Sequence, residues 1–257
     1  MFPRVKALIA LVLMAAVFAA CKRTGPAALH VIYVIDLTAS TIDDARAKAF
    51  DGVKEPFDKG LVKRGDSITV IPITGDALIE SQGVILRFEI PVTREAYDED
   101  LRRLSDEVID KLQKMQEKAA ANPYLSSDIL GAVKIADEEF AADKPEVRKV
   151  LVILSDFVED EKQLSFRTSP IVASEKAATE AAKKMAGSNH SLKGAQVYLG
   201  WLQSSDLKKM PLSRRDAART FWTEYFKQAG AKSVHLSSDG PGQLSKFIGS
   251  PNWLAAR

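Results

Sequence analysis

Cysteine and histidine are scarce in this sequence of 257 residues, which contains one Cys and three His. A single Cys excludes an intramolecular disulfide framework and a zinc site built from several thiolates. The histidines lie far apart, at His30, His190 and His235, and no two of them have zinc-pair spacing. The chain is long enough to bury a core that needs neither cross-links nor a cysteine-bound metal.

The sequence also lacks an excess of charge of either sign. Its 36 Lys and Arg residues stand against 34 Asp and Glu, and the two counts become equal without residues 1–20, which include Arg4 and Lys6. Nucleic-acid-binding proteins carry a basic footprint, so we expect no nucleic acid as a partner. Phosphate-binding glycine loops and the nucleophile motif G-x-S-x-G are absent as well.

The only long hydrophobic run lies at the N-terminus. Residues 7–20 are apolar without interruption, which is shorter than the ~20 residues that a transmembrane helix needs. Small residues then precede Cys21. This segment resembles a bacterial lipoprotein signal, although Phe18 stands where that class usually has Leu. An ordinary secretory signal cut near Ala20 and a buried core segment are the alternatives.

The lipoprotein resemblance implies a diacylglyceryl anchor on Cys21, which holds a protein at a membrane without spanning it. Lys22 follows, whereas an Asp there tends to retain Gram-negative lipoproteins in the inner membrane. We therefore expect a lipid-anchored protein of the bacterial cell envelope, with the outer membrane favoured. The predicted organisation is a signal peptide at 1–20, a tether at 21–29, one domain at 30–250 and a tail at 251–257.

Apolar runs alternate with amphipathic segments along the rest of the chain. The runs predict strands at 30–36, 67–74, 83–90, 150–156, 196–202 and 232–236. The segments between them predict helices at 38–59, 93–121, 127–140, 173–186, 213–229 and 243–248, with Ser126 or Ser127 as the cap of the third. This alternation is typical of a Rossmann-like, doubly wound α/β fold with a mostly parallel six-stranded sheet and helices on both faces.

Two predicted strands, the first and the fourth, end in Asp. Parallel strands bring their carboxyl ends to one edge of a sheet, where ligands bind. Asp36, Thr38 and Ser40 alternate after the first strand, Asp156 ends the fourth, and Ser127 opens a helix. Two carboxylates and three hydroxyls form the hard oxygen set that suits Mg²⁺. We predict that they converge on one octahedral site with a position left for water or a partner's carboxylate.

These residues resemble the metal-ion-dependent adhesion site of the von Willebrand factor type A domain. The family's D-x-S-x-S corresponds to the residues from Asp36 to Ser40, its helix-opening Thr to Ser127, and its T-D-G to Ser155-Asp156-Phe157. The element order over 30–250 is similar too. Thr38 and Ser127 replace a Ser and a Thr of the family, and both keep a hydroxyl. Ser126 competes with Ser127 for the third ligand position. Phe157 stands in place of Gly and would narrow or cover the site.

The resemblance implies a binding module without enzymatic activity. It would hold Mg²⁺, or Mn²⁺ or Ca²⁺, and capture an acidic group of a protein partner or an extracellular component. One alternative is a metal-dependent phosphatase or hydrolase with Asp36 as nucleophile, whose usual proton donor is replaced by Thr38. Another is a scaffold with a vestigial metal site, in which Asp36 accepts backbone amides and Ser40 caps a helix. A solute-binding lipoprotein would need two lobes.

Further acidic residues follow the second and fourth predicted strands. Asp76 and Glu80 are expected to be turn residues, and Glu159, Asp160 and Glu161 to form a solvated loop.

Overall fold

The computed structural model describes residues 27–80, 84–90, 98–122, 124–161, 164–188 and 191–249. The signal peptide, Cys21, most of the tether, His190 and the tail lie outside these residues. The lipid anchor and the domain boundaries therefore stay predictions. No helix of the described part is long and apolar enough to cross a membrane.

A six-stranded sheet forms the centre of the domain, with strand order β3-β2-β1-β4-β7-β8. Only β3, at one edge, runs antiparallel to its neighbour. A separate pair, β5 and β6, forms a two-residue antiparallel ladder. The strands are β1 (Leu29–Asp36), β2 (Ser67–Ile73), β3 (Leu86–Glu89), β4 (Arg148–Ser155), β5 (Asp160–Glu161), β6 (Leu164–Ser165), β7 (Gln196–Trp201) and β8 (Ser233–Ser237).

Helices connect the strands and cover the sheet. They are α1 (Asp43–Asp58), α2 (Ala77–Glu80), α3 (Asp98–Ala121), α4 (Ile129–Ala141), α5 (Glu175–Met185), α6 (Ser205–Lys209), α7 (Leu212–Gln228) and α8 (Leu244–Gly249). Two 3₁₀ turns lie at Pro170–Val172 and Ala186–Ser188. The fold class predicted from the sequence, a doubly wound, mostly parallel six-stranded α/β sheet, is confirmed.

Both faces of the sheet are buried, which is why its central strands consist mainly of apolar residues. All eight residues of β1 are buried. Alternate side chains of β1 point to opposite faces: Ile32 and Val34 join the core under α4, α5 and α7, whereas Val31 and Ile35 join the core under α1, α3 and α8.

Two predicted helix starts differ from the structure. The helix after β1 begins at Asp43 and not at Thr38, because residues 38–41 form a loop at the sheet edge. The helix predicted to be capped by Ser126 or Ser127 is capped by Asp128, whose side chain accepts a hydrogen bond from Gly131 N. The short helix α6 and the β5–β6 ladder were not predicted.

Candidate metal centre

The two acidic strand ends lie side by side because β1 and β4 are neighbours in the sheet. Their register places Ile35 beside Leu154, so that Asp36 and Ser155 follow at the same level. The Ser155 hydroxyl donates to Asp36 Oδ2 at 2.7 Å. Asp156 comes next, directly beyond the carboxyl end of β4. The parallel ladder thus brings both carboxylates to one edge.

The five residues predicted as ligands form one connected group of side chains. Asp36 Oδ1 accepts hydrogen bonds from the Thr38 amide at 3.0 Å and the Thr38 hydroxyl at 2.6 Å. Thr38 Oγ1 lies 3.1 Å from Ser40 Oγ, which in turn donates to Asp156 Oδ2 at 3.4 Å. The Ser127 hydroxyl donates to Thr38 Oγ1 at 3.4 Å. Each of these side chains therefore lies within hydrogen-bonding distance of at least one other member of the group, although they are dispersed in the sequence.

Backbone pairing places Ser127 in this group. Its amide and carbonyl bond to the carbonyl and amide of Asp160 at 3.1 and 2.9 Å. The next residue, Asp128, caps α4 and also accepts from Ala77 N at 3.0 Å. Ser126, the competing hydroxyl, donates to the carbonyl of Gly75 at 3.5 Å. Ser127 is thus the hydroxyl that the structure adds to the group.

Both carboxylates of the group are fully buried. Burial and, to a smaller extent, the neighbouring Asp36 raise the pKa of Asp156 to about 7, against hydrogen bonds from the Ser204 side chain and Val158 N that lower it. None of the ion pairs in the described part of the chain involves Asp36 or Asp156. Two buried acids without a cationic side chain at ion-pairing distance favour a bound cation.

The donor chemistry fits a hard divalent cation. Every side-chain donor in the group is an oxygen, as Mg²⁺, Mn²⁺ and Ca²⁺ prefer. Residues 27–249, outside their gaps, contain no cluster of three or more His, Cys, Asp and Glu side chains able to hold a metal. A metal at this edge would therefore depend on hydroxyl ligands. Thr38 and Ser127 are buried, and Ser40 is the half-exposed member, so solvent reaches the group at Ser40.

Phe157 does not cover the site with its ring. The ring is fully buried in the core, with centroids 4.7 Å from Trp201 and 6.0 Å from Trp222. Trp222 Nε1 donates to the Phe157 carbonyl at 3.1 Å. The φ angle of Phe157 is 58°, the only positive φ of a non-glycine residue in the described part of the chain. The backbone here adopts a conformation that Gly takes without strain, while the ring contributes to the core.

The prediction that Glu159 lies in a solvated acidic loop is wrong. Its side chain is buried, and its carboxylate accepts from Leu130 N at 3.1 Å at the start of α4. Burial, followed by the nearby Asp128, raises the pKa of Glu159 well above its usual value. Asp160 is half-buried and forms an ion pair with Arg167 at 3.0 Å.

Other polar residues at this edge have local roles. Asp76 accepts from Ile79 N at 3.2 Å, and Glu80 accepts from Asp76 N at the same distance, as expected of turn residues. Ser40 does not cap α1, because Ile42 occupies the cap position without a side-chain hydrogen bond. Sequence reasoning assigned no role to Ser155 and Ser204. The role of Ser155 could have been predicted, since this residue lies in the segment matched to the family's T-D-G.

No protein-family model and no curated protein sequence matches this chain. Solved structures do match. The D319A mutant of the PilB minor pilin from Streptococcus sanguinis is 11% identical, with 92% of this chain and 65% of the pilin covered at a TM-score of 0.52. The pilus adhesin SpaC from Lactobacillus rhamnosus GG, in its open conformation, is 11% identical, with 86% and 29% covered at 0.48.

A von Willebrand factor type A structure from Catenulispora acidiphila is 14% identical, with 86% of this chain and 41% of that chain covered at 0.40. This chain spans less than two thirds of each of these neighbours. At such identities the pilin match shows a shared fold and nothing more. The mostly parallel six-stranded sheet with helices on both faces is the doubly wound α/β fold class that the sequence predicted.

Proposed function

We propose that this protein is a lipid-anchored binding module of the cell envelope that uses a divalent cation to engage a protein partner or an extracellular component. Asp36, Thr38, Ser40 and Ser127 would hold Mg²⁺, directly or through water, and Asp156 would bind directly or through a water. Mn²⁺ and Ca²⁺ are the alternatives. The observation that carries the proposal is the connected group of five side chains, whose two buried carboxylates take part in none of the ion pairs among the described residues.

This donor set would leave the ion able to bind an acidic group. Hydroxyls are neutral, so only the two carboxylates offset the charge of the cation. Three hydroxyls and two carboxylates provide five ligands, whereas Mg²⁺ takes six. Solvent reaches the group at Ser40, so the sixth ligand would enter there. An acidic side chain of a partner would complete the coordination.

A hydrolase is the less favoured function. Asp36 would be its nucleophile, but Asp36 is fully buried and both of its carboxylate oxygens accept hydrogen bonds. Thr38, at the position of the usual proton donor, donates to Asp36 itself.

Calorimetric titration of Mg²⁺, Mn²⁺ and Ca²⁺ into the purified protein tests the proposal. We expect binding by the wild type, weaker binding by Ser40→Ala, and none by Asp36→Ala. Asp58→Asn is the matched control, because it removes an exposed carboxylate at the far end of α1, and it should bind like the wild type. Circular dichroism checks that each variant is folded. A folded wild type that binds none of the three ions would favour the vestigial site.

A further inference from the structure

Exposed hydrophobic side chains are concentrated around the candidate metal centre. Leu125 is 83% exposed and lies two residues before Ser127, and Ile79 is 72% exposed on α2. The other large apolar side chains exposed in the described part of the chain are Ile42, Leu78 and Leu212. Large apolar side chains that are exposed in the same region of a surface mark interaction sites.

Four of these five side chains lie on three segments that backbone hydrogen bonds hold together. We call these segments, residues 39–44, 74–80 and 124–128, the rim. Ala39 N donates to the Tyr124 carbonyl at 3.1 Å, which links the first segment to the third. Asp128 N donates to the Thr74 carbonyl at 2.8 Å, which links the third to the second. The segment with Leu125 therefore lies between the loop of Ser40 and the helix of Ile79.

The rim is also acidic. Its three segments contain no Lys, Arg or His, although the whole chain has a net charge of +2. The rim's acidic residues are Asp43, Asp44, Asp76, Glu80 and Asp128. Asp43, Asp44 and Glu80 are exposed, on opposite sides of Leu125. Arg46, the nearest cation on α1, is buried against the Thr41 carbonyl and lies 3.6 Å from Asp43. Exposed acidic side chains of this kind favour a partner with basic side chains.

We propose that the rim docks a protein segment that presents one carboxylate surrounded by apolar and basic side chains. The carboxylate would complete the metal site, a contact that rests on the function proposed above. Apolar side chains would cover Leu125 and Ile79, and basic ones would face Asp43, Asp44 and Glu80. These last contacts do not depend on the metal. A segment whose flanks are acidic would be repelled by the rim.

Two sets of synthetic peptides test this pairing against the full chain by fluorescence anisotropy in Mg²⁺. Both sets carry a central Asp flanked by Leu, with Lys and Arg outside in one set and Glu in the other. We expect tighter binding of the basic set, weakening as NaCl rises. Leu125→Ser should weaken it about tenfold. Leu212→Ser is the matched control, since Leu212 is 67% exposed but lies outside the rim.

The charge contribution is tested by Asp43→Asn combined with Asp44→Asn, beside Asp58→Asn at the other end of the same helix. We expect the double variant to lose part of the preference for the basic set and Asp58→Asn to keep it. Equal binding of both sets, no binding of either, or an unchanged affinity in Leu125→Ser would overturn the inference.

The same titrations separate this inference from the proposed function. Binding that Asp156→Asn abolishes and Leu125→Ser leaves unchanged would retain the metal site and overturn the rim. Binding that persists in EDTA but is lost in Leu125→Ser would support the rim and contradict the role of the metal.

Discussion

Asp156 makes the stability of this domain depend on pH and on divalent cations in a way that one substitution can isolate. Its carboxylate is fully buried beside Asp36, and burial raises its pKa from 3.8 to about 7. The charged form is therefore unfavourable in the folded protein. Asp156→Asn keeps the size of the side chain and an oxygen able to accept from Val158 N, but it cannot ionise. We expect this variant to be more stable than the wild type at alkaline pH without metal.

The sign and size follow from the two pKa values. Between pH 3.8 and about 7 the folded protein retains a proton that the unfolded chain has released. The free energy of unfolding therefore falls as pH rises through this range and becomes level above it. The difference between the two pKa values corresponds to a loss of at most about 4 kcal/mol in the free energy of unfolding. For a domain of this size this is roughly 10 °C in melting temperature. Asp156→Asn should exceed the wild type by up to this amount at pH 8 and match it near pH 4.

Urea denaturation in EDTA at pH 4.5 and pH 8, followed by tryptophan fluorescence, measures the effect. Glu159 also has a raised pKa and contributes a fall of the same sign to both proteins, so the difference between them isolates Asp156. Asp58→Asn should keep the wild-type profile. Mg²⁺ should then stabilise the wild type at pH 8 and not Asp156→Asn. The reasoning fails if the variant loses stability with pH in parallel with the wild type.

Two further predictions concern residues beside the site. Phe157→Gly relieves a positive φ, worth about 1–2 kcal/mol, but removes a fully buried ring, which costs about 3–5 kcal/mol. Chemical denaturation should show a net loss of about 1–4 kcal/mol in the free energy of unfolding, and a variant as stable as the wild type would refute the packing role. Glu159→Ala removes an acceptor at the start of α4 and should lower the unfolding free energy by about 1–2 kcal/mol, whereas Glu159→Gln should be at least as stable as the wild type at pH 8; equal losses in thermal melts would contradict this.

The sheet was predictable because each strand carries its own signal. A strand buried on both faces is mostly apolar along its whole length, as β1 is from Val31 to Ile35, and a run of this kind is visible without knowledge of its neighbours. The place of Asp36 and Asp156 followed from the same signal. Both acids end apolar runs, and parallel connections align such ends at one edge.

The parts that were missed depend on contacts between distant segments. Glu159 looks solvated in sequence, but the backbone pairing of Ser127 with Asp160 lies beside it, and its carboxylate meets α4. The start of α1, in contrast, could have been predicted from the alternating residues of the proposed ligand set. Residues two apart do not face each other on a helix, so a side-chain group containing Thr38 and Ser40 required a loop before Asp43.

The position of β1 has a mechanical consequence. The chain enters β1 at Leu29, and the strand ends at Asp36, so the N-terminal side of the domain and the candidate site lie at opposite ends of one strand. On either side β1 is paired with β2 and β4 over nearly its whole length. Tension between the N-terminal side and a molecule held at the site would load both ladders in shear, with all their hydrogen bonds sharing the force. Extraction of β1 would require these bonds to break together rather than one after another.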